Sequence, residues 1–97
     1  MKTKARKKFI IVAYDISDDK NRLKTSELLQ IYGTRINFSV YECMMTESQM
    51  SKVQIKIDQY IDTSTDKVVY YNICVNCFTK IIKQPQQEIE NPTIKVI

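Results

Sequence analysis

An α+β fold, with two helices on one face of an antiparallel sheet, is what this sequence predicts. Three observations carry the prediction. Short runs rich in β-branched and aromatic residues alternate with two helical patterns in the order strand, helix, strand, strand, helix, strand. Thr46 and Gln49 have the spacing of a capping box and open a narrow apolar stripe. The chain of 97 residues, 43% hydrophobic and 27% charged, suffices for one domain with a modest core.

The first strand spans residues 8–15, where Phe9-Ile10-Ile11-Val12-Ala13 suits a central strand buried on both faces. It stops on Tyr14-Asp15 and gives way to an acidic turn, Ser17-Asp18-Asp19. One of Asp18 and Asp19 caps the following helix, over residues 19–32. That leaves Asp15 at the exit of a strand, held by the sheet yet reaching solvent, where a carboxylate binds a metal or positions a substrate. Leu28, Leu29, Ile31 and Tyr32 share the apolar helix face, with Lys20, Arg22 and Glu27 away from it. Gly33, the only glycine, fits the left-handed residue just past a helix.

Residues 34–45 are extended, and their alternation shifts phase near Asn37-Phe38-Ser39, so two strands joined by a bend are expected. In the second helix Met50, Val53, Ile57, Tyr60 and Ile61 form a core stripe. A polar turn, Asp62 to Asp66, leads into a strand over residues 67–73, in which Tyr70 and Tyr71 are packing residues. Val75-Asn76 is expected to turn the chain into another strand, Cys77 to Lys83. Gln84-Pro85 breaks regular structure, Asn91-Pro92 ends a linker, and Thr93 to Ile97 alternates like an edge strand.

The element order is the ferredoxin-like βαββαβ arrangement with additional C-terminal strands. Residues 1–7 form a basic arm, 8–83 the domain, and 84–97 a linker and edge strand. With both helices on one side, the opposite sheet face is left bare, and the last strand has no place in its own sheet. A homodimer that exchanges that strand covers both.

Charge and residue usage narrow the chemistry. The net charge is +4, and five of residues 2–8 are basic. Lys20, Arg22, Lys24 and Arg35 add charge around the end of the first strand, a pattern that suits phosphate backbones. The chain has no histidine, hence no ready general base of neutral pKa, which favours weak or conditional hydrolysis. Three cysteines without an export signal read as reduced thiols in the cytoplasm. The Cys74-x-x-Cys77 pair reads as two small buried thiols beside a turn, since zinc needs a fourth ligand besides Cys43. Glu42 reads as a surface partner for an arginine. No apolar run approaches the ~20 residues of a membrane span.

Three segments together carry a family resemblance: Tyr14-Asp15-Ile16-Ser17-Asp18-Asp19-Lys20-Asn21-Arg22; Leu28-Leu29 with Tyr32-Gly33-Thr34-Arg35; and Phe38-Ser39-Val40-Tyr41-Glu42-Cys43. In order and spacing they resemble the CRISPR-associated protein two family, the small subunit of the spacer-acquisition complex, over residues 9–83. Asn21 departs from the pattern, standing where the family often has a basic residue. The resemblance implies a homodimer whose strand-one aspartates face each other across the two-fold axis. It implies that Asp15 is the metal and catalytic aspartate, for Mg²⁺ or Mn²⁺. It also implies that Tyr14, Arg22, Arg35 and Phe38 lie near the dimer cleft and contact nucleic acid. The partners implied are the CRISPR integrase and duplex DNA, or single-stranded RNA.

Three functions follow as expectations: a dimeric DNA-binding scaffold that bridges integrase dimers, a self-sufficient metal-dependent endonuclease, and an unrelated RNA-acting or regulatory protein on the same fold.

Overall fold

The structure, a computed structural model, describes residues 6–85. Four strands and three helices follow in the order β1 (Lys8–Asp15), α1 (Asp19–Gln30), β2 (Gly33–Asn37), β3 (Val40–Met45), α2 (Glu47–Tyr60), β4 (Lys67–Ile73) and α3 (Val75–Phe78). The sheet order is β2-β3-β1-β4, with every neighbouring pair antiparallel. That is the expected ferredoxin-like arrangement: each long helix crosses over between two strands separated by a third. Among the described residues no helix is long and apolar enough to cross a membrane.

Alternation along the central strand decides what lies on each face. Ile10, Val12 and Tyr14 point to the helices and join Leu28, Leu29, Tyr41, Cys43, Met45, Val53 and Ile57 in the main core. Met50, Tyr60, Ile61 and Tyr70 pack against that core from its margin. The second helix is therefore built as its stripe predicts, and its capping box is complete, with Gln49 N donating to Thr46 Oγ1 at 3.1 Å and Thr46 N to Gln49 Oε1 at 3.0 Å. Asp18, not Asp19, caps α1, accepting from Asn21 N at 2.9 Å.

Several expectations are corrected. Helix α1 stops at Gln30 rather than residue 32, and Ile31 is exposed. Gly33 is the first residue of β2 and does not adopt positive φ. The helix tightens its last turn instead, Ile31 N donating to Leu28 O at 3.2 Å and Tyr32 N to Leu29 O at 3.0 Å. With its carbonyls satisfied this way, α1 passes directly into the sheet. Glycine is needed at residue 33 for closeness: an added Cβ would lie 2.0 Å from the Glu42 carbonyl oxygen and 2.7 Å from Cys43 Cα.

The expected strand from Cys77 to Lys83 is also absent. Residues 75–78 form the short helix α3, closed by Phe78 N to Cys74 O at 2.8 Å. Phe78 meets Phe9 edge-on at a ring-centroid distance of 4.8 Å. Ile11, Met44, Ile73 and Ile81 gather around that pair, so the second sheet face is not bare at this end. Lys83 Nζ reaches Glu42 Oε1 at 2.6 Å, which makes a lysine rather than an arginine the partner of Glu42. Toward the other end of the same face Val69 and Tyr71 are 43% and 52% exposed, so Tyr70 packs as expected and Tyr71 does not. Two expectations, the Thr93–Ile97 strand and most of the basic arm, lie outside the described residues.

Asp66 closes the turn before β4 and braces the exit of β1. Its side chain is buried, and it accepts from Asp62 N at 2.9 Å and from Ser17 N at 3.0 Å. Those backbone bonds, the one from Asp62 foremost, hold its carboxyl below the usual carboxylate range. A lowered folded pKa contributes stability that is fully present above the unfolded value of about 3.9 and is lost as pH falls through the folded value. Asp66→Asn is therefore expected to be less stable at neutral pH. Its stability should also decline less steeply below about pH 4, as checked by urea unfolding across the acid limb.

Candidate nucleic-acid interface and metal carboxylate

The exit of β1 sends consecutive side chains to opposite sides of the sheet. Tyr14 goes inward, and its hydroxyl donates to the Phe38 carbonyl oxygen at 3.2 Å, fastening the β2–β3 turn to the central strand. Burial and the neighbouring Tyr41 push the Tyr14 phenol above its ordinary value, so it stays a donor through the physiological range. The two rings stack at 6.3 Å.

Arg22, on the first turn of α1, folds back over the same strand exit. Its Nη1 donates to Ile16 O at 3.0 Å and its Nη2 pairs with Asp19, one turn earlier on the helix. Arg35, on β2, places its guanidinium 5.9 Å from the centroid of the Phe38 ring, which is 85% exposed. Tyr14, Arg22, Arg35 and Phe38 thus line one cleft of about 300 Å³, together with Asp19, Leu23 and Ser26. An open cation stacked near an open ring has the elements of a phosphate contact beside a base-stacking platform.

Asp19, Leu23 and Ser26 were not anticipated as lining residues. Asp19 carried a signal, its (i, i+3) spacing to Arg22 on a helix. Ser26 carried none: its hydroxyl is buried because it hydrogen-bonds Tyr41 beneath the cleft.

Asp15 does not line that cleft. It is exposed and, by alternation, shares its face with Phe9, Ile11 and Ala13, opposite Lys67 of β4. Among the described residues no three histidine, cysteine or acidic side chains come together. Asp15 is a hard oxygen ligand that each chain offers at this place. That fits Mg²⁺ or Mn²⁺, which take one or two carboxylates and keep several waters.

Comparison with known proteins settles the family. The family model for CRISPR associated protein Cas2 matches residues 8–81. The chain belongs to the Cas2 family. It is 36% identical over 67 residues to the CRISPR-associated endoribonuclease Cas2 4 of Rhodospirillum rubrum, covering 69% of this chain and 54% of that protein. The chain thus spans about half the length of this relative. The crystal structure of Streptococcus pyogenes Cas2 at pH 6.5 superposes with a TM-score of 0.69 at 25% identity, covering 77% of this chain and 96% of the other. A chain of a partial Cas6-RT-Cas1–Cas2 complex gives a TM-score of 0.64 at 28% identity, covering 78% and 89%. The Cas2 match ends within the segment that follows α3, so it includes the four-strand sheet, the cleft and Asp15.

Proposed function

We propose that this Cas2-family chain serves CRISPR spacer acquisition in the cytoplasm as a homodimeric nucleic-acid-binding scaffold for the integrase. The observation that carries the reading is the separation of its two candidate surfaces. The cation–aromatic cleft lies on the helix side of the sheet, whereas Asp15, in register with Lys67 of β4, is on the other side. A surface for grasping a duplex is thereby kept apart from the carboxylate at the β1 exit. The Cas1–Cas2 complex among its structural neighbours supports an integrase partner.

A second copy fits best over the uncovered end of the second sheet face. There the exposed Val69 and Tyr71 adjoin Ala13 and Asp15, an apolar patch beside a carboxylate. Pairing on that patch would bring two Asp15 side chains together. A divalent cation held by them would supply Lewis-acid polarisation of a phosphoryl oxygen. The endoribonuclease name of the Rhodospirillum rubrum relative keeps hydrolysis as the second reading. With no histidine in the chain, hydrolysis would depend on that cation.

Binding to duplex DNA is expected to be sequence-independent and steeply salt-dependent. Arg35 and Phe38 are exposed, so Arg35→Ala and Phe38→Ala should keep the melting temperature of the parent. Arg35→Ala should flatten the plot of log affinity against log salt by about one unit for one lost phosphate contact. Phe38→Ala should weaken binding without changing the slope, since stacking releases no counterions. Arg22→Ala should lower both affinity and melting temperature, because Arg22 also ties α1 to the Ile16 carbonyl. Salt titrations by fluorescence anisotropy check all three. A parental slope in Arg35→Ala would remove the cleft from the interface.

A further inference from the structure

The Cys74-x-x-Cys77 pair is not the buried structural motif that its sequence suggests. Both residues are exposed, whereas the third cysteine, Cys43, is fully buried. Cys74 is the residue before α3 and Cys77 lies in its single turn, so the two side chains are on the same edge of that turn. The Cys77 backbone N–H donates to Cys74 Sγ at 3.3 Å, which draws the first sulfur over the second residue. Nothing in the candidate interface or at Asp15 uses either thiol.

We infer that Cys74 and Cys77 form a thiol–disulfide exchange site that takes a small anionic disulfide and closes to a reversible intrachain disulfide. The seat for the disulfide adjoins the pair. Cys74 lines a groove of about 670 Å³ together with the apolar Phe9, Ile73 and Phe78 and the basic Arg6 and Lys7. Basic side chains beside apolar ones suit the carboxylates of a peptide disulfide such as glutathione disulfide.

The roles of the two sulfurs differ. Hydrogen bonds from the backbone N–H and side chain of Cys77 hold the Cys74 thiol below its ordinary value. The same thiol–thiol contact pushes Cys77 up. Cys74 is therefore the attacking thiolate and Cys77 the resolving thiol. The Cys74 thiolate attacks one sulfur of the peptide disulfide, whose S–S bond breaks and expels one peptide thiolate. Cys77 then loses its proton and attacks the Cys74 sulfur of the mixed disulfide, expelling the second. Two electrons pass to the peptide disulfide, which leaves as two thiols carrying the two cysteine protons. Burial pushes the Cys43 thiol up to about 12, which keeps it out of the exchange.

The test uses the full reduced chain, glutathione disulfide as probe, and intact mass after acid quenching and alkylation. The parent should lose two hydrogens and keep one alkylatable cysteine on unfolding, identified as Cys43 by peptide mapping. Dithiothreitol should reverse the loss. Cys77→Ser should instead gain one glutathionyl group, on Cys74. Cys74→Ser, which keeps a capping side chain before α3, should gain its group on Cys77 more slowly. Both substitutions are at exposed positions, and an unchanged far-ultraviolet spectrum confirms that each variant is folded. Three thiols still alkylatable in the parent, or a parent that stops at the mixed disulfide, would overturn the proposal. Faster addition to Cys77 in Cys74→Ser than to Cys74 in Cys77→Ser would overturn the assignment of roles.

Discussion

Gly33→Ala should destabilise the fold by about 3 kcal/mol, the upper part of the range for overpacking a rigid site. The new methyl would meet backbone, not a side chain that can turn away: the Glu42 carbonyl oxygen at 2.0 Å, with Cys43 Cα at 2.7 Å. Residue 33 pairs with Cys43, whose side chain is fully buried in the main core, so β3 cannot give way without disturbing that core. The strain must fall on β2, an edge strand with one neighbour. For a domain of this size, that cost corresponds to a fall in Tm of more than about 10 °C. Backbone amides of residues 33–37 should lose hydrogen-exchange protection before those of β1. Ile36→Ala, at a half-exposed position on the same strand, serves as the mild control. A Gly33→Ala melting temperature close to that of the control would show that β2 slides outward at little cost. Because β2 and its turn carry Arg35 and Phe38, displacement there should also weaken DNA binding.

What could be seen in the sequence was what is written in local patterns. The Thr46–Gln49 box, the Val53–Ile57 stripe and the capping aspartate are short-range devices, and each formed where its spacing places it. The phase shift at Asn37-Phe38-Ser39 likewise marked the β2–β3 turn. What was lost depended on contacts between distant segments. Gly33 has the local appearance of a helix stop, and its true constraint is the backbone of β3. Cys77 to Lys83 carries apolar residues enough for a strand. The turn closes instead because Phe78 has Phe9 to pack against and Cys74 Sγ accepts from the Cys77 N–H. Family resemblance grouped Tyr14, Arg22, Arg35 and Phe38 near a dimer cleft, whereas the cleft they line in one chain is on the helix side of the sheet. The opposite facing of Tyr14 and Asp15 follows from strand alternation once β1 is fixed, although the two adjacent residues invite treatment as one site.

Asp15→Asn should separate the two functional readings with the largest effect. Asn keeps the shape of the side chain and removes the charge that would hold Mg²⁺ or Mn²⁺. Asp15 is exposed and faces away from the main core, so the variant should fold as the parent does. If two copies oppose their Asp15 residues, like charges repel when no cation is present. The variant should then be at least as stable as the metal-free parent. The parent should gain about 2.7 kcal/mol at a hundredfold excess of Mn²⁺ over its Kd, and the variant should gain nothing. Any Mg²⁺- or Mn²⁺-dependent cleavage should fall to background. Duplex affinity and integrase pull-down should be unchanged, because the cleft that lines Arg35 and Phe38 does not include residue 15. Melting curves with and without Mn²⁺, paired with a spacer-integration assay, make the measurement. A retained Mn²⁺ response would show that Asp15 is not the ligand. A folded, dimeric, DNA-binding variant that fails to integrate would replace the scaffold with the nuclease.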